Sequence, residues 1–394
     1  MDSIDTKIRI LFLTRTLGIG GRERQLVTLV KGLDKTRFDV TVVTFYDGGE
    51  FGDELKQAPG VQALSLCKKG RWDLGAFALR LPAVMRKVRP HIVHGYGMVA
   101  NELSWLMGRL YRARVVWGMR TLAPEISTQD RLLRILNKLR LGERLFSRVD
   151  LIIVNSQAGF RSLVSRGYPG QRMSVIPNGI DTDYFSPIEE FEKEAIHKRW
   201  GVSSDCLVVG LIARINPNKG HQTFLRAAAL LRDLYPTVRY VCVGSGPDAY
   251  ITEQQALSQE LGIADRVVWA GWEQDMPLVY NSINIANTIS EEREGFPNAV
   301  AEAMACGIPC VVTDVGDAAF IVGDTGTVVP VKDPASLARA WERLLMISAD
   351  ERRAMGVLAR QRIQTQFSVP TLIERMTGAL ETLVASSSQK QGDA

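Results

Sequence analysis

No apolar run in the 394-residue chain approaches the roughly 20 residues needed to cross a bilayer, which excludes a helical membrane span. There is no C-x-x-C pair, and the five cysteines, Cys67, Cys206, Cys242, Cys306 and Cys310, are odd in number and set mostly among apolar neighbours. Zinc and dithiol redox motifs are thereby excluded, and reduced, mostly buried thiols are expected. Asp2 and Asp5 lead straight into a strand-like run, without the basic region and apolar segment of a secretory signal, so the expected location is the cytoplasm. Acidic residues are scarce in one half only. Residues 1–187 hold 29 Lys+Arg against 17 Asp+Glu, and the remainder 19 against 26, so a net charge of +5 divides into +12 and −7. A strongly basic half suggests an anionic partner. With 46% hydrophobic and 23% charged residues, disorder is excluded as well.

A chain this long exceeds what one hydrophobic core usually organises, and two domains are expected. Apolar strand-like runs alternate with segments of helical period, the pattern of parallel sheets covered on both faces by helices, so the fold class is α/β. Strands are expected at 8–14, 38–45, 91–94, 115–117, 151–155 and 173–176, and a second series at 207–212, 238–243, 267–269, 283–287, 309–313 and 327–329. Between the series, 177–187 is rich in turn formers and precedes an acidic helix at 189–200. The expected domains are therefore 1–186 and 187–368, with 369–394 forming an amphipathic helix and a frayed tail from 386.

Three places carry chemistry. Gly18, Gly20 and Gly21 follow the first strand and precede a helix beginning near Glu23, where backbone N–H groups can meet an anion. A dinucleotide fingerprint would want glycine at Glu23 and an acidic residue closing the second strand, so a dehydrogenase reading is weak. Arg214 and Lys219, in ARINPNKG, lie directly after the first strand of the second series, where open α/β sheets bind ligands; two cations there can neutralise a leaving diphosphate, although a solvated basic loop is the plainer reading. The most specific segment is Glu294, Gly295, Phe296, Pro297 and Asn298, followed by Glu302, Ala303, Met304 and Gly307. Pro297 suits the first turn of a helix whose N–H groups can hold phosphate, and Glu302 stands about two turns beyond Glu294. The stretch from Asn298 to Cys310 is too apolar for an exposed helix.

Together these residues resemble the family 4 glycosyltransferases, retaining enzymes of the GT-B fold, over nearly the whole chain. The ordered set is Gly20 to Glu23, Asn155-Ser156, Pro177-Asn178-Gly179 with Asp181 and Phe185, Arg214 with Lys219, Val243 to Pro247, Glu294 to Glu302, and Asp324 to Gly326. The resemblance implies two Rossmann-like, doubly wound domains facing each other across a cleft, the first binding the acceptor and the second the nucleotide sugar, with the C-terminal helix returning toward the first. It implies that Arg214 and Lys219 bind the donor diphosphate, Glu302 the ribose hydroxyls and Glu294 the transferred sugar. Gly20 and Gly21 would close over the phosphates, and Gly244, Gly246, Trp269, Gly295, Phe296, Pro297 and Asn298 would line the donor site. In a front-face displacement the departing phosphate helps deprotonate the acceptor hydroxyl, so no metal or other cofactor is expected beyond the nucleotide diphosphate sugar as co-substrate. The only D-x-D, Asp181 to Asp183, reads as a turn. Where many relatives carry a histidine after the fourth strand, this chain has Trp117, Gly118, Met119 and Arg120; either Arg120 takes that place, or the acceptor geometry differs, with His94 at the end of the previous strand as the other candidate.

From 129 to 148, leucines alternate with Arg131, Arg134, Lys138, Arg140, Arg144 and Arg148, a basic amphipathic segment suited to packing on the sheet and to attracting anionic headgroups. The resemblance implies a saccharide or lipid-linked acceptor of bacterial surface polysaccharide synthesis, with peripheral attachment to the inner membrane face. No module or aromatic interleaving suggests a nucleic-acid partner. The alternatives are a nucleotide-sugar epimerase or phosphorylase on the same fold, distinguished by its products, or a non-catalytic nucleotide-sugar binder, which has less need of Arg214, Lys219, Glu294 and Glu302 together.

Overall fold

The structure, a computed structural model, describes residues 7–18, 20–70, 73–120, 148–189, 193–203 and 205–392. It divides into two compact units, Met1–Gly179 with Val369–Ala394, and Ile180–Ser368.

In the first unit, β1 (Ile8–Thr14), β2 (Phe38–Thr44), β3 (Val61–Ser65), β4 (Ile92–Tyr96), β5 (Arg114–Met119), β6 (Leu151–Val154) and β7 (Met173–Val175) form one sheet in the order β3-β2-β1-β4-β5-β6-β7. Every pairing is parallel. The central strands are apolar on both faces because helices cover both. Ile10 and Phe12 turn toward helix Gly21–Gly32 and toward Leu372, Met376 and Leu380 of helix Val369–Gly392, whereas Leu11 and Leu13 meet Leu81, Met85 and Met107. This is the two-residue alternation of a strand between two cores.

The second unit repeats the plan. β8 (Val208–Ile212), β9 (Arg239–Val243), β10 (Val267–Gly271), β11 (Ile285–Thr288), β12 (Cys310–Thr313) and β13 (Thr327–Val329) lie in the order β10-β9-β8-β11-β12-β13, all parallel. Its buried polar groups are satisfied where they bridge strands: Asn287 donates to the Gly210 carbonyl at 3.0 Å and accepts from the Trp341 indole at 2.7 Å.

The two parallel-sheet, Rossmann-like units were legible from the alternation, and three details differ. β3 was not foreseen; it is a short edge strand whose residues are at most partly buried, so it lacks the apolar run that marks the others. The units meet at Gly179 and Ile180 rather than at 186 and 187. The Ile180 N–H donates to the Phe367 carbonyl at 2.8 Å, and Phe185 packs against Tyr280, so the turn through Asp181 belongs with the second unit. The last helix runs to Gly392 instead of fraying from 386, since residues 385–391 contain no proline or glycine to stop it.

In each sheet the chain winds outward from a central strand and then returns to its other side. The loops after β1 and β4, and those after β8 and β11, therefore diverge at the carboxyl ends of neighbouring strands, which is where open α/β sheets take ligands.

Candidate functional site

In the second unit, the loop after β8 presents Arg214 and then a short turn, Pro217–Lys219, capped by the Asn216 side chain, which accepts the Asn218 N–H at 3.0 Å. The Arg214 guanidinium is exposed and has no hydrogen-bond or ionic partner among the described residues. Lys219 reaches across to the loop after β11 and forms an ion pair with Glu294, the two side chains only 23% and 13% exposed. The Ser290 hydroxyl donates to the same carboxylate oxygen at 2.7 Å, and the Thr313 hydroxyl donates to the Ser290 carbonyl at 2.6 Å. The loop is bonded to its neighbour through the Glu291 N–H and the Asn218 carbonyl at 2.9 Å.

Close approach of these loops depends on glycine. Gly220 has φ +75°, and a Cβ there would lie 2.2 Å from the Ile289 carbonyl oxygen. Gly244, at φ +141°, and Gly246 let the loop after β9 press on the one carrying Arg214; their Cβ atoms would meet the Ala213 and Ile215 carbonyl oxygens at 2.0 and 1.9 Å. Arg293, just before Glu294, holds φ at 60° without being glycine, backbone strain of the kind that gathers at functional sites.

Glu294, Gly295 and the buried Phe296 lead into helix Asn298–Ala305. Pro297 is its N-cap rather than a residue of its first turn, and has no side chain able to cap it, so the helix start is directed at the same loops, where its positive end favours an anion. Glu302, in that helix, accepts the Tyr280 hydroxyl at 2.8 Å. Burial, then the Glu302 charge, push the Tyr280 hydroxyl well above its ordinary pKa, keeping it a donor to that carboxylate. Trp269 lies on β10, two strands from β8, and is partly buried against the core containing Phe224, Tyr240 and Ile263. Ser290, Tyr280, Gly220 and Gly316 had not been singled out; only Gly220, beside Lys219, carried a sequence signal. Gly316, at φ +67°, lies under Glu294, where a Cβ would sit 2.5 Å from the Glu294 carbonyl oxygen.

In the first unit, Gly20 is the N-cap of helix Gly21–Gly32, again without a side-chain cap. Gln25 of that helix exchanges two hydrogen bonds with the Gly179 backbone, at 2.8 and 2.9 Å. Arg120, after β5, bonds to Asn178, donates to the Tyr96 hydroxyl at 3.1 Å and lies over that ring at 5.2 Å. His94 is fully buried beside Phe12 and Tyr96, with neither ring nitrogen partnered among the described residues. Burial, then the Arg120 charge, hold its pKa well below the ordinary range. Of the two candidates, Arg120 alone is at the surface. The Asp181 carboxylate accepts the N–H groups of Asp183 and Tyr184 at 3.1 and 3.0 Å, as a turn requires. The basic segment 129–148, apart from Arg148, lies outside the described residues.

His221, next to Gly220, is buried, and burial, outweighing a raising contact with the Asn216 backbone, takes its pKa to about 4, with Lys219 adding to the fall. The unfolded chain, with an ordinary value near ~6.5, binds the proton more readily, so this stability is fully present above ~6.5 and lost as pH falls toward 4. The expected loss from His221 is about 3 kcal/mol by pH ~4. Melting temperatures across that range, compared with His221→Asn, check it; identical pH slopes would remove His221 from the account.

Residues 206–346 match the family model described as Glycosyl transferases group 1, and residues 19–184 match Glycosyltransferase Family 4. A D-inositol 3-phosphate glycosyltransferase of Corynebacterium jeikeium is 28% identical over 366 residues, covering 86% of each chain. One from Geodermatophilus obscurus is 28% identical over 409 residues, covering 93% of this chain and 87% of the relative. Among solved structures, Anabaena HepE in complex with UDP superposes with a TM-score of 0.80 at 22% identity, covering 95% of this chain and all of that one. Sucrose-phosphate synthase from Thermosynechococcus elongatus gives 0.77 at 21% identity, covering 96% of this chain and 100% of that one. These likenesses establish the fold.

Proposed function

We propose that the chain, whose halves match family 4 and group 1 glycosyltransferases, is a glycosyltransferase of the GT-B fold that transfers a hexose from a UDP- or GDP-sugar with retention and without a metal ion. The observation that carries this reading is the meeting of Lys219 with Glu294 at the β8 and β11 loops, on the loop that also presents Arg214, exposed and unpaired among the described residues. In the unliganded chain Lys219 and Glu294 satisfy one another. With donor bound, Lys219 and Arg214 take the diphosphate, the helix start at Asn298 adds its N–H groups, and Glu294 turns to the sugar hydroxyls. Glu302, held by Tyr280, takes the ribose. Charge growing on the leaving phosphate meets fixed cations, which lowers the barrier without reorganisation. In the first unit, Gly20 and Gly21 offer a helix start to phosphate, and Arg120 a half-buried guanidinium, held by Asn178 and Tyr96, to an acceptor.

The acceptor is a hydroxyl of a saccharide or lipid-linked saccharide of a bacterial surface polymer, with the basic half, including 129–148, favouring an anionic membrane surface. A second reading, a phosphorylated cyclitol acceptor, is favoured by the names of the curated relatives and by the same positive charge. The deciding experiment begins with thermal stabilisation by UDP, GDP, ADP and NAD in the presence of chelator. A ligand of the folded state raises stability by about 2.7 kcal/mol at 100 times its Kd. Stabilisation by UDP or GDP, lost in Arg214→Ala, is expected; a response to NAD alone, or a requirement for a divalent ion, would refute the reading. The anomeric configuration of the product, with a saccharide or D-inositol 3-phosphate as acceptor, then tests retention and chooses between acceptors.

A further inference from the structure

The amino-terminal edge of the first unit's sheet, at the other ends of the strands from Gly20 and Arg120, holds a concavity of about 1190 Å³. Among the described residues, seven arginines line it and a single carboxylate, Asp150. Asp150 is already committed, accepting from Arg114 at 2.7 Å and from the Val115 N–H at 2.8 Å. Arg9 is committed to His91 and the Arg89 carbonyl, both at 2.7 Å. The remaining five, Arg86, Arg89, Arg109, Arg112 and Arg148, are exposed and have no carboxylate partner among the described residues. Like charges gathered in one hollow repel each other and raise the local potential.

Two of these arginines also stand where arginine is disfavoured. Arg89 closes helix Leu74–Val88 at φ 47°, and Arg112 closes helix Met98–Tyr111 at φ 55°, left-handed positions that glycine usually takes. The helix dipole does not account for them, because Arg86 and Lys87, and Arg109, already supply cations in the last turns. Strain and repulsion converge on one concave, cationic surface that the transfer chemistry does not use.

We propose that this concavity is a second anion site, which binds a group carrying two or more clustered phosphates through bidentate guanidinium contacts. The phosphates come from a soluble polyphosphate or from a phosphorylated lipid headgroup, and the test separates the two. Full-length protein carrying Arg214→Ala, so that phosphate at the donor loops does not contribute, is titrated calorimetrically with tripolyphosphate against sulfate at matched ionic strength. It is also floated with vesicles of cardiolipin, whose headgroup carries two phosphates, in phosphatidylcholine, and with phosphatidylcholine alone. Arg89→Gly with Arg112→Gly keeps the left-handed backbone while removing two charges, so it is expected to weaken binding by at least about tenfold without lowering the melting temperature. Arg86→Ala with Arg109→Ala repeats the loss away from the strained positions. Tripolyphosphate binding without flotation assigns a soluble ligand; flotation that tripolyphosphate reverses assigns a lipid headgroup. The proposal is overturned if neither probe binds better than sulfate or neutral vesicles, if both double variants bind as the parent does, or if an oligonucleotide is retained while tripolyphosphate is not.

Discussion

Arg214→Ala is expected to lower kcat/KM for the preferred sugar donor by about 10²–10³, the usual effect of removing one group aimed at developing charge, while leaving the melting temperature unchanged. Both halves of that expectation come from its setting. The guanidinium is exposed and unpartnered among the described residues, so its removal breaks nothing in the unliganded fold, and exposed substitutions of this kind stay within about ±0.5 kcal/mol. Lys219→Ala should behave differently. It leaves the Glu294 carboxylate, 13% exposed, without its cation, so a loss of activity is accompanied by a loss of stability. The two substitutions combined should cost less than the sum of their separate effects on the barrier, since both act on one diphosphate. Steady-state kinetics with melting curves on the three variants distinguish a donor site from a structural ion pair. If Arg214→Ala keeps its kcat/KM, or loses activity only in step with stability, the assigned role fails.

Arg214, Lys219 and Glu294 stand out in the sequence because they follow apolar strands at their carboxyl ends, where α/β topology places ligands. What holds them does not. Ser290 lies beside Glu294, yet its hydroxyl reads like any loop serine until the fold turns it onto the carboxylate at 2.7 Å. Tyr280 is separated from Glu302 by 22 positions and meets it only because helices Met276–Asn281 and Asn298–Ala305 pack together. Arg120 stood out by its place after β5; its bonds reach Tyr96, the last residue of β4, and Asn178, beyond the end of β7.

Gly220→Ala tests the most demanding contact between those strand-end loops. Two independent costs fall on one added methyl group. The backbone is at φ +75°, a conformation that costs a residue other than glycine about 1–3 kcal/mol. The new Cβ would also lie 2.2 Å from the Ile289 carbonyl oxygen, a backbone atom that cannot move aside as a flexible side chain would. The total expected is about 3–5 kcal/mol, at the diagnostic end of single substitutions. The matched control is Gly201→Ala, at φ +65° with no atom within 4 Å of the added Cβ, which incurs only the backbone term of about 1 kcal/mol. A much larger fall in melting temperature for Gly220→Ala than for Gly201→Ala is the expected result; equal shifts would mean that the close approach contributes nothing. Any folded Gly220→Ala protein should also respond less to UDP, because the relaxation that relieves the clash shifts the β8 loop and carries Lys219 and Arg214 away from the positions proposed for holding the diphosphate.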